Sequence, residues 1–270
     1  MKASTVEVRD VFAYLNEIAP VEMGLPRDNV GLLAGREGRG VSRVLVSLDI
    51  TEEVIREALA LQAELIVSHH PLIRDPLYHV TDRDLIGRKV VTLIQNDMAA
   101  ICMHTNLDVA KGGVNDVLAE ALDLGERAVL LPSGETEAGA VYGLGRVGVL
   151  PEALSMPDFL RKISEVLEAE GLRYHDAGVP VQKVGLLGGS GSGELSQAIK
   201  LGCDTYVTGD VKYHAFLEAR ELGINLIDGD HYCTENLICL PLREGIAARF
   251  PQLEVRVSER HSQTARFFTG

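Results

Sequence analysis

RVLVSLDITEEVIREALALQAELIVSHH, residues 43–70, reads as a strand, a helix and a second strand in succession. RVLVSL (43–48) is a continuous apolar run of strand length. Thr51 is a helix-capping residue, and Val54, Ile55, Ala58 and Leu59 then fall on one face at helical spacing. ELIVS (64–68) is the second apolar run, and His69 and His70 follow it at once. Strands joined by a helix pair in parallel through a right-handed crossover, so this stretch predicts an α/β fold with parallel strands flanked by helices.

Upstream, residues 4–18 read as an amphipathic helix with Ser4 and Glu7 as a capping box and Val8, Val11, Phe12, Leu15 and Ile18 on one face. A turn-rich stretch follows over 26–40. Downstream, a helix over about 82–97 precedes the strand AAICM (99–103). The next helix turns Val114, Val117, Leu118 and Ala121 inward and ends near Gly125. Glycines and small residues crowd 133–148, and a helix after Ser155 stops at Gly171. Then come a strand (181–187), the turn GGSGSG (188–193), a helix (194–201), the strand DTYVT (204–208), a helix (211–222), the strand INLID (224–228), a helix (233–247) and a strand (252–257). The pattern predicts two α/β lobes with mixed or parallel sheets: residues 1–130 plus 229–270, and residues 131–228.

The chain of 270 residues carries 26 basic and 39 acidic side chains, a net charge of −13. That balance repels phosphate backbones at long range and argues against a general nucleic-acid binder. No apolar run is long enough to span a bilayer, and the first residues lack the apolar core of a signal peptide, so a cytoplasmic location is expected. Cys102, Cys203, Cys233 and Cys239 form no CxxC pair, which points to buried thiols and away from a structural zinc knuckle.

Four strands run into polar clusters: His69-His70, His104 to Asp108, Asp210 to His214, and His231 to Glu235. Ligands of open α/β sheets bind beyond the carboxyl ends of the strands, so clusters distant in sequence are expected to meet. His104 and Asp108, like His231 and Glu235, are four residues apart and face one way on a helical turn. His69 and His70 diverge if extended, which suits two ions better than one. Six candidate ligands exceed the three of a mononuclear catalytic zinc site, and a pair of ions uses them. Mixed imidazole and carboxylate donors suit Zn, Fe, Mn, Ni or Co. Each motif alone also fits a packed or surface histidine; the convergence carries the reading. GGSGSG reads as a tight strand-to-helix turn in preference to a phosphate cradle, and no GKS or GKT makes it a Walker loop. Asp210, Lys212 and His214 are candidates to touch substrate, with Lys212 or His214 holding a phosphate or passing a proton. Asp49 ends a strand beside the site. Cys233, two residues past His231, should point away from it, and His79, His175 and His261 read as surface histidines.

These residues resemble the NIF-three-like dinuclear-metal family, whose members carry the name GTP cyclohydrolase 1 type 2 homolog. The resemblance rests on DNVGLLAG (28–35), SLDIT (47–51), SHHPLI (68–73), HTNLDVAKGGVND (104–116), GGSGSG, TGDVKYH (208–214) and IDGDHYCTE (227–235). It implies two α/β lobes with the metals in the cleft between them, and a homo-oligomer, often a hexameric ring. It also implies His69, His70, His104, Asp108, His231 and Glu235 as ligands, with Glu235 as the bridge. The chain departs from the family in having Gly229-Asp230 where Ala-Gly is usual before the last histidine, and in its C-terminal stretch SERHSQTARFFTG.

Together these readings predict a dinuclear metal-dependent hydrolase of a nucleotide or related phosphorylated small molecule, with a metal-bridging hydroxide as nucleophile. No serine or cysteine sits in a nucleophile motif such as G-x-S-x-G. The alternative is a metal-binding regulatory or metallochaperone-like ring without turnover.

Overall fold

The structure, a computed structural model, describes residues 5–136 and 139–268. Along the chain the elements are α1 (Val8–Ile18), β1 (Gly31–Ala34), β2 (Arg43–Ser47), α2 (Glu52–Ala60), β3 (Leu65–Ser68), α3 (Leu85–Gln95), β4 (Ala99–Cys102), α4 (Thr105–Val109) and α5 (Val114–Ala121). Then follow β5 (Gly125–Glu135), β6 (Val141–Leu154), α6 (Met156–Val166), β7 (Arg173–His175), β8 (Val181–Ser190), α7 (Leu195–Lys200), β9 (Thr205–Gly209) and α8 (Tyr213–Leu222). The last elements are β10 (Asn225–Asp228), α9 (His231–Asn236), α10 (Cys239–Arg249) and β11 (Glu254–Val257).

The chain divides into two compact units, residues 1–107 with 238–262 and residues 108–237 with 263–270. The sequence reading placed the first crossing at residue 130 and the return at 229. The contacts move both, for a packing reason: Leu118, Ala119 and Leu122 of the α5 region and Cys233 of α9 share one core with Phe159 and Ile163 of α6.

The first unit holds one sheet in the order β1-β4-β3-β2-β11. β11, β2, β3 and β4 run parallel, and β1 runs antiparallel to β4. β3 and β4 are buried at every residue, which is why they read as unbroken apolar runs. Side chains alternate between the faces: Leu45, Ile66 and Ala100 meet Val54, Ile55 and Ala58 of α2 and Val90 and Leu93 of α3. α10 lies against β2, β11 and α1. Thr51 caps α2 by accepting from the Val54 amide. The register sets Ser47 beside Ser68 and Ser68 beside Cys102, so β2, β3 and β4 end level and the residues after them emerge side by side.

α1 starts later than expected. Ser4 lies outside the described residues, and the reciprocal cap is made by Asp10, whose carboxylate accepts from the Glu7 amide at 2.8 Å. The turn-rich stretch contains β1, and the single helix expected over 233–247 is two, α9 and α10.

The second unit holds a sheet in the order β5-β6-β8-β9-β10-β7. β8, β9 and β10 are parallel; β5, β6 and β7 pair antiparallel with their neighbours. Val184, Leu186, Val207 and Ile227 face α5, α6 and α9, while Leu187, Tyr206 and Leu226 face α7 and α8. The inward residues of α5 are Val114, Asn115, Leu118 and Ala119, so Val117 and Ala121 were misplaced by the sequence reading. Arg146, only 4% exposed, locks α5 onto β6. Its guanidinium donates to both carboxylate oxygens of Asp116, at 2.6 and 2.9 Å, and to the carbonyls of Gly143, Gly145 and Ala110. A buried charge so fully partnered is tolerated; breaking such a pair from one side typically costs about 3–5 kcal/mol.

No helix among the described residues is long and apolar enough to cross a membrane.

Candidate metal centre

In the first unit the level ends of β3 and β4 bring His69, His70 and His104 together. Their ring centroids stand 5.0, 5.2 and 5.7 Å apart, and each ring offers a nitrogen within 4.8 Å of the other two. Three imidazoles held this close without a cation would crowd donors of the same kind, whereas a metal ion uses them.

The partner of each ring's Nδ1 sharpens the reading. His69 is fully buried, and its Nδ1 lies 2.8 Å from the carbonyl oxygen of Met103. His70 Nδ1 lies 2.8 Å from Asp49 Oδ1. His104 Nδ1 lies 2.8 and 2.9 Å from the two oxygens of Asp28. Each oxygen accepts a hydrogen bond from Nδ1–H, the tautomer that puts the ring's lone pair on Nε2. A metal-ligating histidine is normally prepared in this way, by a carboxylate or carbonyl that fixes tautomer and orientation. Asp49 therefore has the role of His70's anchor as well as its place at the end of β2.

Asp28 went unassigned in the sequence reading, although it opens the DNVGLLAG stretch. It also accepts from the Thr105 amide at 3.1 Å and from the Thr105 hydroxyl, and that hydroxyl accepts from the Leu25 amide at 2.8 Å. Burial works against its charge, but the hydrogen bonds from His104 and Thr105 outweigh it and hold the carboxyl well below the usual carboxylate range. Nothing in local spacing marks an aspartate that acts on a residue 76 positions away. Asp28→Asn keeps the shape and removes the charge. It should lower metal affinity by about 10–100-fold without unfolding the protein, as read by competition with a chelator of known affinity; unchanged affinity would show that the His104 anchor is dispensable.

In the second unit β9 and β10 end beside α9, which presents His231 and Glu235. His231 Nε2 lies 3.1 Å from Glu235 Oε2, and its Nδ1 lies 2.7 Å from Asp210 Oδ2. The hydrogen bond to Glu235 raises the His231 pKa, burial opposes it, and Asp210 adds to the rise, giving about 9. The proton held between imidazole and carboxylate occupies the place of a cation. Glu235 and Asp108 are buried carboxylates, 4% and 9% exposed, and a buried carboxylate calls for a cationic or hydrogen-bonding partner. Asp108 lies in α4, one helical turn on from His104.

Only the second half of the glycine run, from Gly191, makes the expected strand-to-helix turn. β8 continues through Gly188 and Gly189 to Ser190. Gly189 has φ +68°, and a Cβ there would stand 2.1 Å from Glu235 Oε1 and 3.3 Å from His231 Nε2. Its amide donates to Thr234 Oγ1 at 3.0 Å, and the Gly188 amide donates to Asn115 Oδ1 at 2.9 Å. Asn115 in turn donates to the Asp108 carbonyl at 3.0 Å. The bare backbone thus forms the seat of the Glu235 carboxylate.

Lys212 and His214 are exposed at the start of α8; of that cluster, Asp210 is the member that touches His231. Asp230, the departure from the family pattern, caps α9 by accepting from the Cys233 amide at 3.1 Å. Cys233 turns away from the ligands into the apolar core. Burial pushes the thiols of Cys203, Cys233 and Cys239 up to about 11, 12 and 12, so they stay protonated and are poor ligands. Cys102 donates to the His69 carbonyl at 2.9 Å. His79 is exposed and His175 partly so, but His261 is buried near Cys239 and is not a surface residue.

A model of the Duf34/NIF3 (NGG1p interacting factor 3) family matches residues 6–264. The chain is 34% identical over 245 residues to a Clostridium perfringens protein named GTP cyclohydrolase 1 type 2 homolog, covering 90% of this chain and 92% of that one. A Streptomyces coelicolor protein of the same name is 36% identical over 230 residues, covering 84% and 80%. Among solved structures, a Bacillus cereus protein related to NIF3 aligns with a TM-score of 0.92 at 25% identity, covering 98% of this chain and all of the other. Reduced HcgD from Methanocaldococcus jannaschii aligns at 0.79 with 26% identity, covering 96% and 100%. The histidine and carboxylate clusters at the strand ends lie within this match, and on sequence and structure together the chain belongs to the Duf34/NIF3 family.

Proposed function

We propose that the protein is a dinuclear metal-dependent hydrolase acting on a nucleotide or related phosphorylated small molecule. His69, His70, His104, Asp108, His231 and Glu235 would hold two divalent ions, from among Zn, Fe, Mn, Ni and Co. The observation that carries this is the preparation of the histidines: His69, His70 and His104 have Nδ1 beside a carbonyl or carboxylate oxygen, which turns Nε2 toward coordination, and His231 has Nδ1 beside Asp210 with Nε2 against Glu235, where a metal ion would replace the shared proton. Bound there, the pair of ions supplies Lewis acidity at neutral pH.

The remaining work falls to side chains. Asp28, Asp49 and Asp210 hold imidazole orientation. Lys212 and His214, exposed at the start of α8, would attract a phosphate and pass a proton to a leaving group. The relatives' shared name supports a nucleotide as the substrate class. The test is a screen of metal-loaded protein against nucleoside triphosphates and generic phosphoesters, with chelated protein as control. Turnover that requires metal and falls in His214→Ala, with metal content unchanged, supports the reading. No turnover with both ions bound leaves the non-catalytic, regulatory or metallochaperone-like reading as the better one.

The assembly proposed is a homo-oligomer, a hexameric ring as the resemblance implies. Light scattering should give six times the chain mass; a monomer mass at every concentration would refute it.

A further inference from the structure

The second unit contains a cavity of about 130 Å³ lined by Gly171, Arg173, Asp210, Asp228, Asp230 and Phe267. Its walls are built. Arg173 comes from β7, Asp210 and Asp228 from the ends of β9 and β10, and Asp230 from the cap of α9. Phe267 belongs to the C-terminal stretch that departs from the family pattern. That stretch is fastened by Gln263 donating to Asp230 and by Arg266 pairing with Glu170. A Cβ on Gly171 would stand 2.8 Å from the Phe267 ring, so only glycine lets the ring settle there.

Two of the three carboxylates in the cavity wall already face cations, Asp228 facing Arg173 and Asp210 facing His231, so the negative charge in excess is that of Asp230. Arg173 is engaged by Asp228 and the Val211 carbonyl, and its guanidinium stacks 5.6 Å from the Phe216 ring. Asp230 accepts from neutral donors, the Cys233 amide and Gln263. An anion would meet the Asp230 carboxylate beside a guanidinium already committed to Asp228. A neutral apolar group would strip water from those carboxylates without compensation. A nitrogen cation meets the carboxylates through charge-assisted hydrogen bonds and the Phe267 face through a cation–π contact.

We propose that this cavity is a subsite for an organic cation, an ammonium or amidinium group carried by the substrate of the metal centre. Its assignment to a substrate rests on the reading in the preceding subsection; the binding itself does not. Asp210 joins the two, since the carboxylate that lines the cavity also holds His231 Nδ1.

The experiment titrates methylguanidinium and ethylammonium into chelated full-length protein, followed by nuclear magnetic resonance, with inorganic phosphate and magnesium as controls. The organic cations should bind saturably. Phe267→Leu and Asp230→Asn should each weaken them, on the order of tenfold. Leucine keeps the apolar volume and asparagine caps a helix as well as aspartate, so unchanged circular dichroism separates lost recognition from lost folding. Absence of saturable binding, equal binding by both variants, tighter binding of phosphate, or replacement of the organic cations by magnesium would each overturn the proposal. Because neither bound metal nor turnover enters the measurement, its failure leaves the hydrolase reading to be judged separately.

Discussion

Gly189→Ala should strip the metal from the protein while leaving it folded. The added Cβ would fall 2.1 Å from Glu235 Oε1, far inside contact distance. The atom in its way is the end of a long side chain and gives before the backbone does. Glu235 is buried, so moving it means leaving its place beside His231. The φ of +68° adds backbone strain for alanine, roughly 1–2 kcal/mol, and the crowding adds about 1–3 kcal/mol. The expected outcome is a loss of stability of about 2–5 kcal/mol with metal affinity reduced on the order of 100-fold, a lost donor being at least as costly as a lost anchor. Gly193, with nothing within 4 Å of a Cβ, supplies the control: Gly193→Ala should bind metal normally. Full metal content in Gly189→Ala would mean that Glu235 is not held by this gap.

Glu235→Gln carries the second large effect. Wild-type protein reloaded with metal should contain close to two ions per chain by elemental analysis, from the six ligands proposed. Glutamine preserves the buried volume but removes the charge and one strong donor atom. If Glu235 bridges, both ions should be lost together, each weakened about 100-fold or more. Loss of one ion with the other bound normally would show that the carboxylate serves a single ion, and a wild-type content of one would end the dinuclear reading.

The elements legible in the sequence were those with a physical reason to be legible. β2, β3, β4, β9 and β10 are buried parallel strands and appear as short runs of apolar and β-branched residues, as in LIVS of β3 and AAIC of β4. β1 was hidden because Gly31 and Gly35 gave Asp28 to Gly35 the texture of a turn. β5 and β6 were hidden by glycines at 134, 143, 145 and 148, at each of which a Cβ would come within 3.0 Å of another atom; propensity disfavours glycine in strands, and packing overrode it. The glycine run at 188–193 misled in its first half for the same reason, since Gly188 and Gly189 are strand residues whose smallness accommodates Glu235.

Candidate ligands were legible because their chemistry is local: histidine next to histidine, or histidine and carboxylate one helical turn apart. The anchors were not. Asp28 meets His104 only because β1 pairs with β4 and brings the preceding loop along. His261 looked like a surface residue because its neighbours in sequence, Ser258 to Gln263, are polar, while the group beside it in space is Cys239 of α10.

The order of the two units along the chain has a consequence in time. β11 pairs with β2, and α10 packs beside it, so the sheet that carries His69, His70 and His104 receives its outer strand only from residues 254–257. During synthesis the amino-terminal four strands emerge first and wait with one β2 edge uncovered. Apart from its terminal strap, the unit bearing His231 and Glu235 is contiguous, from 108 to 237, and can close while the first still waits. An edge open for that long invites pairing with a neighbouring chain, so the interval before residue 257 leaves the ribosome is the vulnerable moment in this protein's life.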